Sequence, residues 1–328
     1  MTKNVKGIGL LSGGLDSTLA VKVLQEQGIE VTGITFVTPF FGPGPGIEAG
    51  VKAGIEVLPV DISEKHLDML KSPVYGYGSQ MNPCIDCHGL MLKEAGRIME
   101  QRGADFLFTG EVVGQRPMSQ RRDSLRSVEK LSGYQGRVLR PLSAKLLPPT
   151  TVELEGLVDR ERLLDISGRS RKRQTELAER YGIGDYPQPG GGCMLTKEGF
   201  ANRLKELFRA YPNADVRCVE LLKWGRIFRL PQGSILIAGR HKSDNSRLDA
   251  LAKEMDVQLK TVDRPGPTGL IPATDNPLQD LEAAALIVAS YADVQRAETT
   301  RVYWRHGRHG GIIESVCVNK ESLKEMLI

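Results

Sequence analysis

The chain has 328 residues, of which 40% are hydrophobic and 26% are charged, a composition typical of a globular protein of about two domains and not of a disordered one. Its longest apolar stretch beyond the N-terminal region, Ala283 to Ala292, is too short to cross a bilayer, and no signal-type segment follows Met1, so we expect a cytoplasmic protein without a membrane partner. The net charge of +4 permits a nucleic-acid partner without requiring one.

The first functional motif lies between an apolar run typical of a buried strand and a helical pattern. Its residues are Ser12, Gly13, Gly14, Leu15, Asp16 and Ser17. Paired glycines let backbone N–H groups approach an anion, and the N-terminus of the following helix adds its positive dipole end, so the motif predicts a phosphate site. The hydroxyls of Ser12 and Ser17 add polar contacts, and Asp16 can hold Mg²⁺. An ordinary tight turn is the alternative.

The hexapeptide resembles the PP-loop of the N-type ATP pyrophosphatases. Members of that family cleave ATP between the α and β phosphates and transfer AMP to a substrate oxygen, so the resemblance implies an ATP site. After the first helix, the pattern predicts a second strand over 29–37 and then a loop rich in proline and glycine over 38–46. Phe36 is expected beside the phosphate turn, where members of the family hold the adenine; a place in the core is the alternative.

Strand and helix patterns then continue to alternate along the chain. This alternation predicts an α/β fold with a doubly wound parallel sheet, here of the PP-loop type, over residues 1–209. From about residue 210 the pattern changes to short strands and helices. A second, smaller α+β domain is therefore expected over 210–328.

The five cysteines, an odd number in a chain without an export signal, favour metal or redox chemistry over a disulfide scaffold. Cys84 and Cys87 form a C-x-x-C pair where a helix is predicted to begin, and such a pair can reach one metal or cluster. Cys193, after the glycines at 190–192, is the third candidate ligand. Cys218 and Cys317 lie in apolar surroundings and are interpreted as buried thiols.

A zinc site needs four ligands, and His88 is a possible fourth. Three cysteines without a clear fourth instead favour a 4Fe–4S cluster with one open iron. A cysteine persulfide without any metal is the remaining alternative.

The stretch from Thr109 to Gln120, read together with 138–142, resembles the matching segment of tRNA 4-thiouridine synthetases. The Asn82 to Cys87 stretch is similar to that of tRNA 2-thiouridylases. This resemblance covers roughly residues 5 to 200. It implies that Thr109, Gly110 and Gln115 belong to the nucleotide site.

Basic residues cluster in two places and predict contacts with RNA phosphates. In the first domain these are Arg116, Arg121, Arg122, Arg169, Arg171, Lys172 and Arg173. A solvated helix face is the alternative for the run at 169–173. In the second domain, Arg301, Arg305 and Arg308 alternate with Tyr303 and Trp304, which suits unpaired bases; a basic hairpin with inward aromatics is the alternative. This domain also resembles the RNA-binding domain called NFACT-R.

These parts predict an ATP-dependent sulfurtransferase that adenylates a uridine carbonyl in tRNA and replaces the oxygen with sulfur. ATP, Mg²⁺ and the 4Fe–4S cluster are the expected cofactors, and the sulfur donor is sulfide or a cysteine desulfurase. One alternative is a PP-loop amide ligase or amidotransferase, which has no use for Cys84 and Cys87. Another is an RNA-binding protein with a degenerate nucleotide site.

Overall fold

The computed structural model describes residues 4–187, 193–273, 276, 278–295 and 297–328. The chain divides into two units, one ending at Met194 and the other beginning at Leu195. The first unit thus ends before the expected boundary at 209/210. The reason is the helix Glu198–Ala210, which packs on a strand and a helix of the second unit.

The first unit is built on a sheet of five parallel strands. These are β1 (Lys6–Leu10), β2 (Glu30–Val37), β3 (Glu56–Asp61), β4 (Phe106–Thr109) and β5 (Val138–Leu139). Their order is β3-β2-β1-β4-β5, and every neighbouring pair is parallel. The chain thus moves outward from β1 to one side and then to the other, so the carboxyl ends of β1 and β4 flank the crevice where ligands bind in such sheets.

Helices cover both faces of this sheet. They are α1 (Leu15–Gln25), α2 (Gly44–Ala53), α3 (Ser63–Lys71), α4 (Cys84–Arg102), α5 (Arg122–Ser132), α6 (Thr151–Leu154) and α7 (Lys172–Arg180). Side chains of β4 alternate between two apolar clusters, because successive residues of a strand point to opposite faces. Phe106 and Phe108 pack with α1 in one cluster, whereas Leu107 packs with Leu92 of α4 in the other. The predicted doubly wound α/β fold is confirmed.

One element of this unit begins earlier than the sequence suggests. The stretch from Thr38 to Gly46 is rich in turn residues and was expected to be loop throughout. In the structure α2 begins within it, at Gly44, with Pro45 in its first turn. Proline is tolerated there because the first N–H groups of a helix have no partner within the helix.

The second unit is α+β, as expected. Its helices are α8 (Glu198–Ala210), α9 (Val216–Leu221), α10 (Lys242–Leu251) and α11 (Leu281–Ser290). Its strands are β6 (Arg226–Arg229), β7 (Ile235–Ala238), β8 (Val257–Thr261), β9 (Gly269–Ile271), β10 (Thr299–His306) and β11 (His309–Val316). They form one antiparallel sheet in the order β11-β10-β8-β9-β7-β6.

The most apolar stretch of the chain is core. It forms α11, in which Ala284, Ile287 and Val288 are completely buried against β8, β10 and β11. A helix that is apolar on nearly all sides is expected in such an interior position. Across the described ranges, no helix combines the length and apolarity needed to cross a membrane.

Candidate nucleotide and thiol site

The turn between β1 and α1 has the geometry of an anion-binding loop. Gly13 has φ of +79°, a conformation that L side chains rarely adopt, and a Cβ placed on it would lie 2.5 Å from Pro45. The backbone N–H of Gly14 donates to Ser12 Oγ at 3.3 Å, and Ser17 Oγ donates to the Gly14 carbonyl at 2.9 Å. The motif is thus a closed turn that leads directly into the N-terminus of α1, the end of a helix that favours an anion.

The loop after β4 lies directly against this turn. A Cβ on Gly110 would sit 2.4 Å from the backbone nitrogen of Ser17 and 2.5 Å from the carbonyl carbon of Asp16. Only glycine permits this approach, because the atoms in the way are backbone. Thr109 is buried and donates to Glu111 Oε2 at 3.1 Å. Thr109 and Gly110 therefore form the second wall of the candidate nucleotide site.

Asp16, the expected magnesium ligand, is held by a chain of amide side chains. Gln115 Nε2 donates to Asp16 Oδ2 at 2.7 Å, and Gln174 Nε2 donates to Gln115 Oε1 at 2.9 Å. On the other side, Arg171 Nη2 lies 3.5 Å from Asp16 Oδ1. Gln115 thus contacts the turn at Ser12–Ser17, while the contribution of Gln174 was not anticipated.

The three candidate thiols come together in the first unit. Cys84 opens α4 and accepts a hydrogen bond from Asn82 Nδ2 at 3.2 Å, and Cys87 lies one turn further along. The pKa of the Cys87 thiol is raised far above its ordinary value, first by burial and then by the negative charges of Cys193 and Cys84. Cys193 therefore lies near the C-x-x-C pair. The glycine run at 190–192 that was expected to shape its surroundings lies outside the described residues.

A buried histidine accompanies these thiols and was not anticipated. His66 Nε2 lies 3.3 Å from Cys87 Sγ, and its ring packs against those of Phe40 and Phe41 at centroid distances of 5.3 and 5.9 Å. Burial lowers the pKa of His66 to about 4, so the ring is neutral at physiological pH. Its sequence neighbourhood gives no signal, since a lone histidine in an amphipathic helix is ordinary.

His88 does not join the thiols, contrary to its expected role as a possible fourth ligand. Its Nδ1 lies 2.8 Å from Glu111 Oε1, and the other oxygen of Glu111 accepts from Arg140 Nε at 3.0 Å. Burial works to raise the pKa of Glu111, but Arg140 and His88 outweigh it and lower that pKa to about 2. Arg140 also pairs with Glu129. This buried network connects the thiol-bearing helix to the loop beside the PP-loop.

A single metal ion finds little support in the geometry. In the parts of the chain that the structure describes, no group of three or more His, Cys, Asp or Glu side chains is arranged to hold one ion. Zinc needs its ligands within about 2.0–2.3 Å of a common centre. In a 4Fe–4S cluster the cysteines ligate the cluster through its several irons, so three neighbouring thiols that do not converge on one point remain compatible with it.

Phe36 has its side chain in the apolar interior. It is 4% exposed and packs in the cluster of Ile34, Leu92 and Leu107. Phe36 thus lies in the core, which was the alternative to a contact with the adenine. Cys218 and Cys317 are buried, as expected for plain thiols, and burial raises the pKa of both.

The seven basic residues of the first unit that were predicted to contact RNA divide into two groups. Six are exposed at the surface: Arg116, Arg121, Arg122, Arg169, Lys172 and Arg173. Arg173 pairs with Asp165 at 2.7 Å. Arg171 is the exception, because its guanidinium points to Asp16 instead of to solvent.

In the second unit, β10 presents alternate side chains to solvent. Arg301, Tyr303 and Arg305 are exposed, with Tyr303 at 44%, and Arg308 lies in the turn that follows. Trp304 instead packs against the core cluster. Of the two aromatic residues expected to alternate with the cations, Tyr303 is therefore exposed and Trp304 is partly buried. Arg301 is engaged by a bidentate pair with Asp263.

Residues 225–326 match a family described as the NFACT protein RNA binding domain. The tRNA-specific 2-thiouridylase MnmA of Pelobacter propionicus is 30% identical over a 218-residue alignment that covers 60% of this chain and 56% of that protein. A probable tRNA sulfurtransferase of Thermococcus kodakarensis is 28% identical over 119 residues, 34% of this chain and 30% of that protein. The chain thus spans about half the length, or less, of the curated relatives it matches.

Among solved structures, a 4-thiouridine synthetase in complex with RNA and bound ATP is similar, with a TM-score of 0.38 and 21% identity. The match covers 67% of this chain and 53% of that one.

Proposed function

We propose that the chain, which is similar to a tRNA-specific 2-thiouridylase over 60% of its length, is an ATP-dependent sulfurtransferase that replaces a uridine carbonyl oxygen of tRNA with sulfur. One observation carries the proposal. The anion-binding turn and the group of Cys84, Cys87 and Cys193 belong to one unit and are joined by the contact of His88 with Glu111. Activation by ATP and handling of sulfur would thus take place within one unit of the protein.

The first step is activation of the carbonyl. The uridine oxygen attacks the α-phosphorus of ATP, an O–P bond forms, and the bond to the β-phosphate breaks to release pyrophosphate. Gly13, Gly14 and the N-terminus of α1 are placed to support the negative charge of the phosphates, and Asp16 is placed to hold Mg²⁺. The poor leaving group is thereby converted into AMP, a good one.

The second step replaces the oxygen. A sulfur nucleophile attacks the activated carbon, a C–S bond forms, and AMP leaves with the original oxygen. In one route the sulfur is inorganic sulfide; in the route described next, a cysteine desulfurase transfers its persulfide sulfur to Cys193. In the sulfide route Cys84, Cys87 and Cys193 would hold a 4Fe–4S cluster, which supplies an open iron that binds the sulfide.

In the other route Cys193 carries a persulfide, and the terminal sulfur attacks the base. A second thiol of the group then releases the thiolated base by forming a disulfide, which an external thiol must reduce before the next turnover. The neutral His66 beside Cys87 and the raised pKa of the Cys87 thiol are compatible with either route.

The tRNA would be bound by both units. The match of residues 225–326 to an RNA-binding family supports the second unit as one RNA contact. In the first unit Arg116, Arg121 and Arg122 are exposed where the loop after Gly110 leads into α5, the place where an RNA entering the nucleotide site would pass. Cations at such positions contact backbone phosphates.

The proposal is tested by anaerobic incubation of the protein with tRNA, ATP, Mg²⁺ and sulfide. We expect thiouridine in the digested tRNA, measured by mass spectrometry, together with AMP and pyrophosphate in equal amounts. Asp16→Asn and Cys87→Ala should abolish thiouridine, whereas Cys218→Ala should not. Release of AMP and pyrophosphate without thiouridine, with ammonia as the productive nucleophile, would instead identify an amide- or amidine-forming enzyme.

A further inference from the structure

Arg171 differs from the other cations of its run in where its charge lies. It is the N-cap residue of α7, and its side chain is only 19% exposed, whereas its neighbours Lys172 and Arg173 lie at the surface. The guanidinium approaches Asp16 to 3.5 Å, which is an ion pair without a hydrogen bond. A charge held inside the nucleotide site does not serve as a surface contact for RNA.

Three polar atoms around this pair are buried and unsatisfied. Among the described residues, Asp16 Oδ1, Arg171 Nε and Gln174 Oε1 have no hydrogen-bond partner, and Gln174 is completely buried. Leaving a buried polar atom unpaired is energetically unfavourable, so such atoms are uncommon in folded proteins. Here they lie beside a loop with the backbone geometry of a phosphate site.

The chemistry of the unsatisfied atoms is complementary. Asp16 Oδ1 is an acceptor and suits a cation, while Arg171 Nε is a donor and suits an oxyanion. An arginine offers donors in a planar fork that matches phosphate oxygens. A magnesium–polyphosphate ligand would satisfy both atoms at once, since it brings a cation and oxyanions together.

We propose that Arg171 is a phosphate-binding residue of the nucleotide site, which pairs with Asp16 in the absence of ligand and donates to a phosphate oxygen when ATP is bound. This inference rests on the proposed function, because it assumes that the turn at Ser12–Ser17 binds ATP. It assigns Arg171 to ATP and leaves Arg169, Lys172 and Arg173 to solvent or RNA. Gln115 and Gln174 then act as positioning residues that hold Asp16 in place as Arg171 leaves it.

The test is calorimetric titration with Mg²⁺ and the α,β-methylene analogue of ATP, which cannot be cleaved at the reacting bond, and in parallel with adenosine. Arg171→Met should weaken binding of the analogue about 10- to 100-fold, the effect of losing hydrogen bonds to a charged group. Binding of adenosine should change less than about 2-fold, because adenosine has no phosphate for the guanidinium to contact. Arg171→Lys should recover part of the affinity, because it keeps the charge and loses the fork.

Arg173→Met is the matched control. It also removes an arginine at the start of α7, but one that pairs with Asp165 at the surface. It should leave binding of the analogue unchanged. Equal affinity of the wild-type protein and both Arg171 variants for the analogue would overturn the inference while leaving the ATP site intact. If the wild-type protein binds adenosine and the analogue equally weakly, the proposed ATP function itself fails, and the inference fails with it.

Discussion

His88, in the first turns of α4, lies 2.8 Å from Glu111, in the loop that follows β4. Cys87 directly precedes His88 in the chain, and Gly110 directly precedes Glu111. Gly110 in turn lies against the backbone of Asp16 and Ser17. The contact of His88 with Glu111 therefore links the helix that carries the thiols to the loop beside the turn at Ser12–Ser17. Damage to this contact is expected to affect both.

The first prediction concerns the buried charge of Glu111. Glu111→Gln should lower the free energy of unfolding by about 3 kcal/mol, because it leaves the guanidinium of Arg140, itself 3% exposed, without one of its two carboxylates. Urea denaturation measures the change. Glu161→Gln breaks a surface pair with Lys145 and should cost no more than about 1 kcal/mol. Equal effects of the two substitutions would contradict the buried network.

A second prediction follows from the pKa of the same carboxyl. Arg140 and His88 hold it at about 2 in the folded protein, against an ordinary value of 4.5. A carboxyl with a lowered pKa stabilises the fold above its unfolded pKa, and this contribution is lost as pH falls through the folded value. Stability should therefore fall between pH 4.5 and about 2, and the fall should be shallower in Glu111→Gln. An unchanged slope in that variant would contradict the prediction.

The third prediction concerns the close approach of the loop after β4 to α1. Gly110→Ala should destabilise the protein by about 1–3 kcal/mol and weaken ATP binding, because the new methyl group meets backbone atoms of Asp16 and Ser17 at about 2.5 Å. Thermal unfolding and nucleotide titration measure the two effects. Gly184→Ala is the control, since nothing lies within 4 Å of a Cβ at that position. Wild-type binding in Gly110→Ala would show that the loop moves freely.

The fourth prediction is the iron content of the protein purified without oxygen. About four irons per chain are expected, with matching sulfide and visible absorption. Cys84→Ala, Cys87→Ala and Cys193→Ala should each lose them, and Cys218→Ala, at a buried position of the second unit, should keep them. Absence of iron in the wild-type protein would exclude the cluster and direct the search to a persulfide on Cys193, detectable by mass spectrometry after alkylation.

The fifth prediction concerns RNA binding by the second unit. Arg305→Ala should weaken binding of single-stranded RNA and reduce the slope of log K against log salt by about 0.7, the effect of one lost phosphate contact. Tyr303→Ala should cost about 1–3 kcal/mol if the exposed ring stacks on a base. Arg229→Ala removes an arginine from β6, at the other edge of the sheet, and should have no effect. Fluorescence anisotropy at several salt concentrations measures all three.

The sequence predicted those features that depend on adjacent residues. The PP-loop turn could be identified because its glycines, serines and aspartate are consecutive, and the fold because strand and helix patterns alternate over a long stretch. The C-x-x-C pair predicted its own proximity, and the glycines before Cys193 indicated it as the third thiol, which lies near enough to Cys87 to raise the pKa of that thiol.

Two kinds of feature could not be predicted from the sequence: the direction in which a side chain points at a helix terminus, and contacts between residues that are far apart in the chain. Arg171 looks like its neighbours in the sequence, and only the direction of α7 turns it towards Asp16. Glu111 and Arg140 are 29 residues apart and meet because β4 and β5 are parallel neighbours that end together. Successive side chains of β2 point to opposite faces of the sheet, and helices cover both faces, so the sequence alone does not decide between a core position and a nucleotide contact for Phe36.

The division of the basic run on α7 has a thermodynamic consequence. Arg171 faces the nucleotide site, while Lys172 and Arg173, the next two residues of the same rigid element, face solvent. Under the phosphate-binding role proposed for Arg171, a ligand that displaces α7 from outside and changes the separation of Arg171 and Asp16 would also change the affinity for ATP. Since coupling between two binding equilibria is reciprocal, ATP would then change the affinity for that outer ligand by the same factor, which titration of one ligand in the presence of the other measures.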